Sequence, residues 1–206
     1  MLRPVLLAVL ALAIMILPVQ ARTLNLLALG DSLTAGYGVA AADAFPVKLA
    51  AALKARGHDV KVINAGVSGD TAADGLARLD WALGDAIDAA IVELGANDML
   101  RGLDPVQAEQ ALDEILKKLG EKKIPVLLAG MVAAPNLGAD YGQRFNRIYP
   151  KLTAVHGAML YPFFLDGVAG QRALNQPDGM HPNAAGVDEI VTRILPSVEA
   201  LLARVK

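Results

Sequence analysis

Four short polar stretches of this 206-residue chain carry side chains able to move protons or attack a carbonyl. They are residues 30–36 (GDSLTAG), 64–71 (NAGVSGDT), 95–100 (GANDML) and 178–183 (DGMHPN). A serine hydroxyl such as that of Ser32 is a weak nucleophile until a base takes its proton. Three histidines are present. His58 falls in a hydrophilic turn and His156 near a helix end, and both read as surface or capping groups. His181 differs, because Asp178 stands three residues before it. That carboxylate can accept the imidazole Nδ1–H, fix the tautomer and leave Nε2 for Ser32. A D-x-x-H turn can equally cap backbone groups, but a strand-tip serine favours the proton-transfer reading. A tetrahedral intermediate also needs donors aimed at its oxyanion. Gly69 offers an unobstructed backbone N–H, Asn97 a side-chain amide, and Ser32 its own N–H at a helix start. Ser32, His181, Asp178, Gly69 and Asn97 thus form a candidate set for acyl transfer.

Apolar runs at 24–29, 60–64, 89–94, 125–131 and, more weakly, 159–163 predict the strands that position this set. Such short continuous runs suit strands buried on both faces of a parallel sheet. Between them, apolar side chains recur at helical spacing: Phe45, Leu49 and Leu53; Leu112, Ile115, Leu116 and Leu119; Val187, Ile190, Val191, Ile194 and Leu195. Asp104-Pro105 with Gln107 has capping-box spacing, Gly120 stands where that helix should close, Asn183 should cap the last helix, and Pro196 should kink or end it. Alternating strands and helices predict a single α/β domain, a three-layer α/β/α sandwich around a mainly parallel five-stranded sheet. Folds of this kind bind ligands beyond the carboxyl ends of their strands, where the polar stretches fall.

Composition narrows the functions open to the chain. Arg3, an apolar run over 5–17, Pro18 and Val19-Gln20-Ala21 read as a cleavable secretory signal over residues 1–21, leaving 22–206 as the domain, periplasmic or secreted, with no membrane anchor once the signal is removed. Cysteine is absent, so no disulfide or zinc-thiolate site is possible. A formal charge of −2 with no Lys/Arg run excludes nucleic acid as a natural partner. Gly36 to Ala41 fits G-x-G-x-x-A but starts too late after the strand, and strand two ends in Asn64 where a dinucleotide site wants an acid. GVSGD has Asp70 where a G-x-S-x-G elbow needs glycine, and Ser68 reads as a turn residue. No P-loop or metal spacing appears, so neither cofactor nor metal is expected. Asp31 and Asp98 read as acceptors for turn amides, Trp81 as helix packing, and Arg78 as an exposed or salt-bridged residue without chemistry. An acyl pocket is expected from Met99, Leu100, Leu103 and Phe163 with Pro135, Asn136, Leu137 and Tyr141 of the loop 131–142.

The blocks GDSL, GVSGDT, GAND and DGMHP occur in one order, and in them the chain resembles the SGNH (GDSL) hydrolase family. INAGVSGDT, GLARLDWAL, VELGANDMLRGL and RFNRIYPKL are similar to its bacterial exported branch of arylesterases and acyl-CoA thioesterase I/lysophospholipase L1 enzymes. The resemblance implies a flavodoxin-like SGNH fold. By matching position it makes Ser32 the nucleophile, His181 the base, Asp178 the orienting acid, and Gly69 and Asn97 oxyanion donors. Ala96 replaces a glycine common in relatives. A monomer acting on small acyl esters or thioesters is expected. The alternatives are a carbohydrate O-deacetylase, which the 4% aromatic content disfavours, and a non-catalytic exported binding module.

Overall fold

The computed structural model describes residues 22–84 and 86–205, so the expected signal segment lies outside the described residues. In chain order the elements are β1 (Leu24–Gly30), α1 (Ser32–Ala35), α2 (Phe45–Ala55), β2 (Val60–Gly66), α3 (Ala72–Ala77), α4 (Leu79–Leu83), β3 (Ala89–Glu93), α5 (Ala96–Leu100), α6 (Pro105–Glu121), β4 (Val126–Ala129), α7 (Ala139–Asn146), α8 (Ile148–His156), β5 (Met159–Tyr161) and α9 (Ala184–Leu202). Short 3₁₀ turns occupy Ala41–Asp43 and Pro135–Leu137.

All five strands pair in parallel in the order β2-β1-β3-β4-β5. Neighbouring strand residues face opposite sides, yet Leu26 and Leu27 are both fully buried. Helices therefore cover both faces, which is why the strands read as continuous apolar runs. α2 packs on α9, while α6 packs on α3 and α8, making the two helical layers. The fold is the expected α/β/α sandwich. From β1 the chain steps out to β2 and returns past β1 to β3, so the strand order reverses between β1 and β3. That reversal opens a crevice at their carboxyl ends. Ser32 follows β1 and Asn97 follows β3, one on each side of it.

Three local boundaries and one packing expectation depart from the sequence reading. Asp104 caps α6 through the Val106 N–H at 3.1 Å, while the Gln107 N–H goes to the Asp104 carbonyl, so no capping box closes. α6 runs through Gly120, and the left-handed turn falls at Lys123 (φ 59°). α9 continues through Pro196, because buried Ile194, Leu195, Val198 and Leu201 hold it to the core on both sides of the lost backbone bond. Trp81 is 83% exposed and packs on little. Asn183 caps α9 through the Gly186 N–H at 3.0 Å as expected, a contact of the kind worth ~1 kcal/mol. Among the described residues, no helix is long and apolar enough to cross a membrane.

Candidate active site

The chain must turn sharply where β1 meets α1. Asp31 caps α1, its Oδ1 accepting the Leu33 N–H at 3.0 Å, and this places Ser32 at the first helical position. Glycine is required at residue 30 by what passes beside it. A Cβ there would lie 2.1 Å from Thr34 Oγ1 and 2.7 Å from Glu93 Oε2, the two atoms of a 2.8 Å hydrogen bond.

His181 arrives from the loop between β5 and α9. Its Nε2 stands 2.9 Å from Ser32 Oγ, and its Nδ1 stands 2.6 Å from Asp178 Oδ2. Asp178 Oδ1 accepts the backbone N–H groups of Met180 (2.9 Å) and His181 (3.0 Å). An ionised carboxylate can only accept, so the tautomer assigned to a neutral His181 carries its proton on Nδ1. Nε2 then faces Ser32 with a lone pair, and the hydroxyl donates. The His181 hydrogen bond, followed by the two backbone donors, lowers the Asp178 pKa to about 2, so it stays charged across the useful pH range.

The two other candidate donors sit at the ends of β2 and β3. Asn97 Nδ2 donates to Asp31 Oδ2 (3.0 Å) and to the Asp70 carbonyl (2.9 Å). Both amide hydrogens thus have acceptors nearby, and an incoming oxyanion must share one of them. Gly69 has φ 91°, a conformation that favours glycine, and its carbonyl accepts from Arg101 Nη2 at 2.5 Å. Arg78 ties the same loop down: Nε donates to Asp70 Oδ2 (2.5 Å) and Nη2 to the Gly30 carbonyl (2.9 Å). The sequence allowed Arg78 a salt bridge but no chemistry; the salt bridge is present, with Asp70, and it makes Arg78 the fastener between the Gly69 loop and the end of β1.

Behind the serine lies a pair of buried acids. Glu93 is fully buried, and its Oε1 has no hydrogen-bond partner among the described residues. Burial, aided by the charge of Asp31, pushes the Glu93 pKa well above the usual carboxylate range. Burial also raises Asp31, to about 6, against the opposing pull of the Leu33 N–H, His181 and Asn97. Asp98 accepts the Ala72 N–H at 2.8 Å, the turn-amide role expected of it, and burial raises its pKa too. His58 contacts Glu199 (3.1 Å) and His156 contacts Asp113 (2.7 Å), both far from Ser32 in the fold.

A cleft of about 430 Å³ opens at Ser32, with Asn97 and His181 also in its wall. Of the expected pocket residues, Met99, Leu100, Pro135 and Phe163 line it. Leu103, Asn136, Leu137 and Tyr141 do not. Leu137 and Tyr141 pack against the core, Tyr141 stacking on Phe145 at 6.0 Å, and Asn136 is exposed on the 3₁₀ turn. Leu165, Ala169 and Met180 line the cleft without having been singled out from sequence. Met180 carried one signal, its place between Asp178 and His181. Among the described residues no cluster of three or more His, Asp or Glu side chains is placed to hold a metal.

Comparison with known proteins places this geometry in context. Residues 28–188 match the GDSL-like Lipase/Acylhydrolase family. Esterase TesA of Pseudomonas aeruginosa is 38% identical over 192 residues, 93% of this chain and 96% of the relative. The Thioesterase 1/protease 1/lysophospholipase L1 of Escherichia coli is 41% identical over 160 residues, 77% and 76% of the two chains. The crystal structure of AlinE4, an SGNH-hydrolase family esterase, superposes with a TM-score of 0.75 at 48% identity, covering 87% of this chain and 97% of that one. The chain belongs to the GDSL-like lipase/acylhydrolase family, the SGNH hydrolases.

Proposed function

We propose that this protein is a serine esterase in which Ser32 attacks the carbonyl of a carboxylic ester. One observation carries the reading: hydroxyl, imidazole and carboxylate form a chain of 2.9 and 2.6 Å contacts at the mouth of a largely apolar cleft. In this scheme His181 takes the Ser32 proton as the C–O bond forms, and Asp178 stabilises the resulting imidazolium. The tetrahedral oxyanion draws on the N–H groups of Ser32 and Gly69 and on the Asn97 amide. His181 then gives its proton to the leaving alcohol, and an acyl-enzyme remains. Water, activated by the same imidazole, releases the acid and restores Ser32.

The apolar cleft wall suits an acyl chain, and its size falls in the ordinary range for small-molecule sites. Relatives named esterase, arylesterase and thioesterase/lysophospholipase support acyl esters, with thioesters as a second substrate class. That apolar wall offers little to the hydroxyl groups of a glycan, so an O-deacetylase is the weaker reading. We further propose export directed by residues 1–21 and a monomeric mature enzyme, to be checked by N-terminal sequencing of the exported protein and by its hydrodynamic size.

The test of the central reading is covalent labelling. A fluorophosphonate is expected to label the parent enzyme at Ser32 and to leave Ser32→Ala unlabelled and inactive towards p-nitrophenyl esters. Labelling that persists in Ser32→Ala would assign the chemistry to another residue.

A further inference from the structure

Ser32 and His181 lie 149 residues apart in sequence, and their 2.9 Å contact requires that two loops be fixed to each other. The loop carrying His181 is well braced internally. Asn175 and Pro182 form an antiparallel bridge, and the Gln176 N–H donates to the His181 carbonyl at 2.8 Å. The Asn183 N–H donates to the Leu174 carbonyl at 2.9 Å. These bonds shape the loop but do not reach the nucleophile.

The side chain of Gln176 does reach the neighbouring turn. Its Nε2 donates to the Tyr37 carbonyl at 2.7 Å and to the Pro182 carbonyl at 2.9 Å. One amide group thus spends both hydrogens, one on each loop, and two carbonyl acceptors fix which way it points. Tyr37 is itself tied to the nucleophile turn, its N–H donating to the Ser32 carbonyl at 3.1 Å. Its ring lies against the His181 ring, with centroids 4.6 Å apart and planes tilted by 40°. Gly38 makes room for the clamp. Its φ is +72°, and a Cβ there would fall 2.1 Å from Gln176 Oε1 and 2.8 Å from Cδ. This accounts for the second glycine of the Gly36-x-Gly38 pair that resembled a dinucleotide fingerprint: Gly38 accommodates an amide, not a phosphate.

We propose that Gln176 is a positioning residue whose amide locks the nucleophile loop to the His181 loop and so sets the gap between hydroxyl and imidazole. The proposal rests on the esterase reading above. It addresses the step most sensitive to geometry, since a misplacement of ~1 Å at a reacting pair can cost ~100-fold in rate.

Gln176→Met tests it, keeping the length and bulk of the side chain and removing both donors. Expected is a fall of about 10- to 100-fold in both kcat for p-nitrophenyl butyrate and the rate of Ser32 phosphonylation, with KM within about twofold of the parent. KM should hold because Gln176 is not part of the cleft wall. Gly38→Ala attacks the same contact from the other side and should give the same kcat phenotype. In the double variant the two losses should not add, because both act on the same Gln176–Tyr37 contact and it can be lost only once. Gly57→Ala, at φ +85° with open space around it, imposes comparable backbone strain away from the site and should leave kcat unchanged. A Gln176→Met enzyme within about twofold of the parent in kcat overturns the proposal, as do fully additive losses in the double variant. If Gln176→Met fails to fold, Gly38→Ala decides alone: parental kcat there overturns the proposal. A parent enzyme that neither labels at Ser32 nor turns over esters would instead refute the esterase reading.

Discussion

Replacing Asp178 by asparagine should be far more damaging than its size suggests, for a reason visible in the loop itself. The carboxylate has two jobs on two oxygens: Oδ1 accepts the Met180 and His181 N–H groups, and Oδ2 accepts the imidazole proton. Asparagine has one oxygen. Turned towards the imidazole, that oxygen would leave the NH₂ group facing two backbone donors. Turned towards the backbone, it keeps both bonds and aims the NH₂ group at Nδ1. Two ordinary hydrogen bonds favour the second orientation by about thirtyfold. An NH₂ group facing Nδ1 demands a lone pair there, which moves the imidazole proton to Nε2, opposite Ser32. The base is then blocked in most molecules, and the remainder lack the charge that stabilises the imidazolium, a further loss of ~10- to 100-fold. Together these predict kcat/KM lower by about 300- to 3,000-fold, approaching the ~10⁴-fold effect of this substitution in other serine hydrolases. Steady-state kinetics with a p-nitrophenyl ester measures the loss, and ¹⁵N shifts of the His181 ring report the tautomer. Activity within about tenfold of the parent, or a ring still protonated on Nδ1, would refute the reasoning.

Three further outcomes follow from the same geometry. Asn97→Ala should lower kcat by about a hundred- to a thousandfold with little change in KM, measured by ester turnover; an unaffected kcat would remove Asn97 from the oxyanion site. Glu93→Gln should gain stability relative to the parent as pH rises above about 4.5. The folded state holds the Glu93 proton more tightly than the unfolded chain does, so the parent is penalised progressively once the unfolded glutamate ionises. Urea midpoints for both proteins from pH 4 to pH 8 test this, and a constant difference would contradict it. Ala134→Trp places a large ring in the cleft wall and should depress turnover of long acyl esters at least tenfold more than that of acetate, as a chain-length series would reveal. Equal losses along the series would place the acyl chain elsewhere.

How much of this was legible in the sequence depends on how local each signal is. Strands buried on two faces leave continuous apolar runs, and Ser32 and Asn97 announce themselves because each follows such a run with a residue that packing does not require, while the Asp178–His181 pair stands in the polar turn just ahead of the last amphipathic helix. Positions with distributed causes were not readable. Pro196 does not end α9, because core contacts on both sides outweigh one lost backbone bond, and a single residue cannot report that balance. Lys123 adopts the left-handed turn expected of Gly120. Arg78 and Gln176 are ordinary polar residues whose importance rests on carbonyl partners distant in sequence, at Gly30 and Tyr37, as well as on nearer ones at Asp70 and Pro182. Glu93 did leave a trace: an acid closing an otherwise apolar strand, which costs too much to bury without a reason. That reason is visible beside the nucleophile. The buried Glu93 carboxyl accepts from Thr34, the backbone of Asp31 leans on the same oxygen at 3.4 Å, and Asp31 holds both the α1 cap and the Asn97 amide. A buried carboxyl whose pKa burial pushes up therefore braces the turn from which an alcohol must attack, and a hydrophobic residue of equal volume would leave the Thr34 hydroxyl and the Asp31 N–H beside it without that partner.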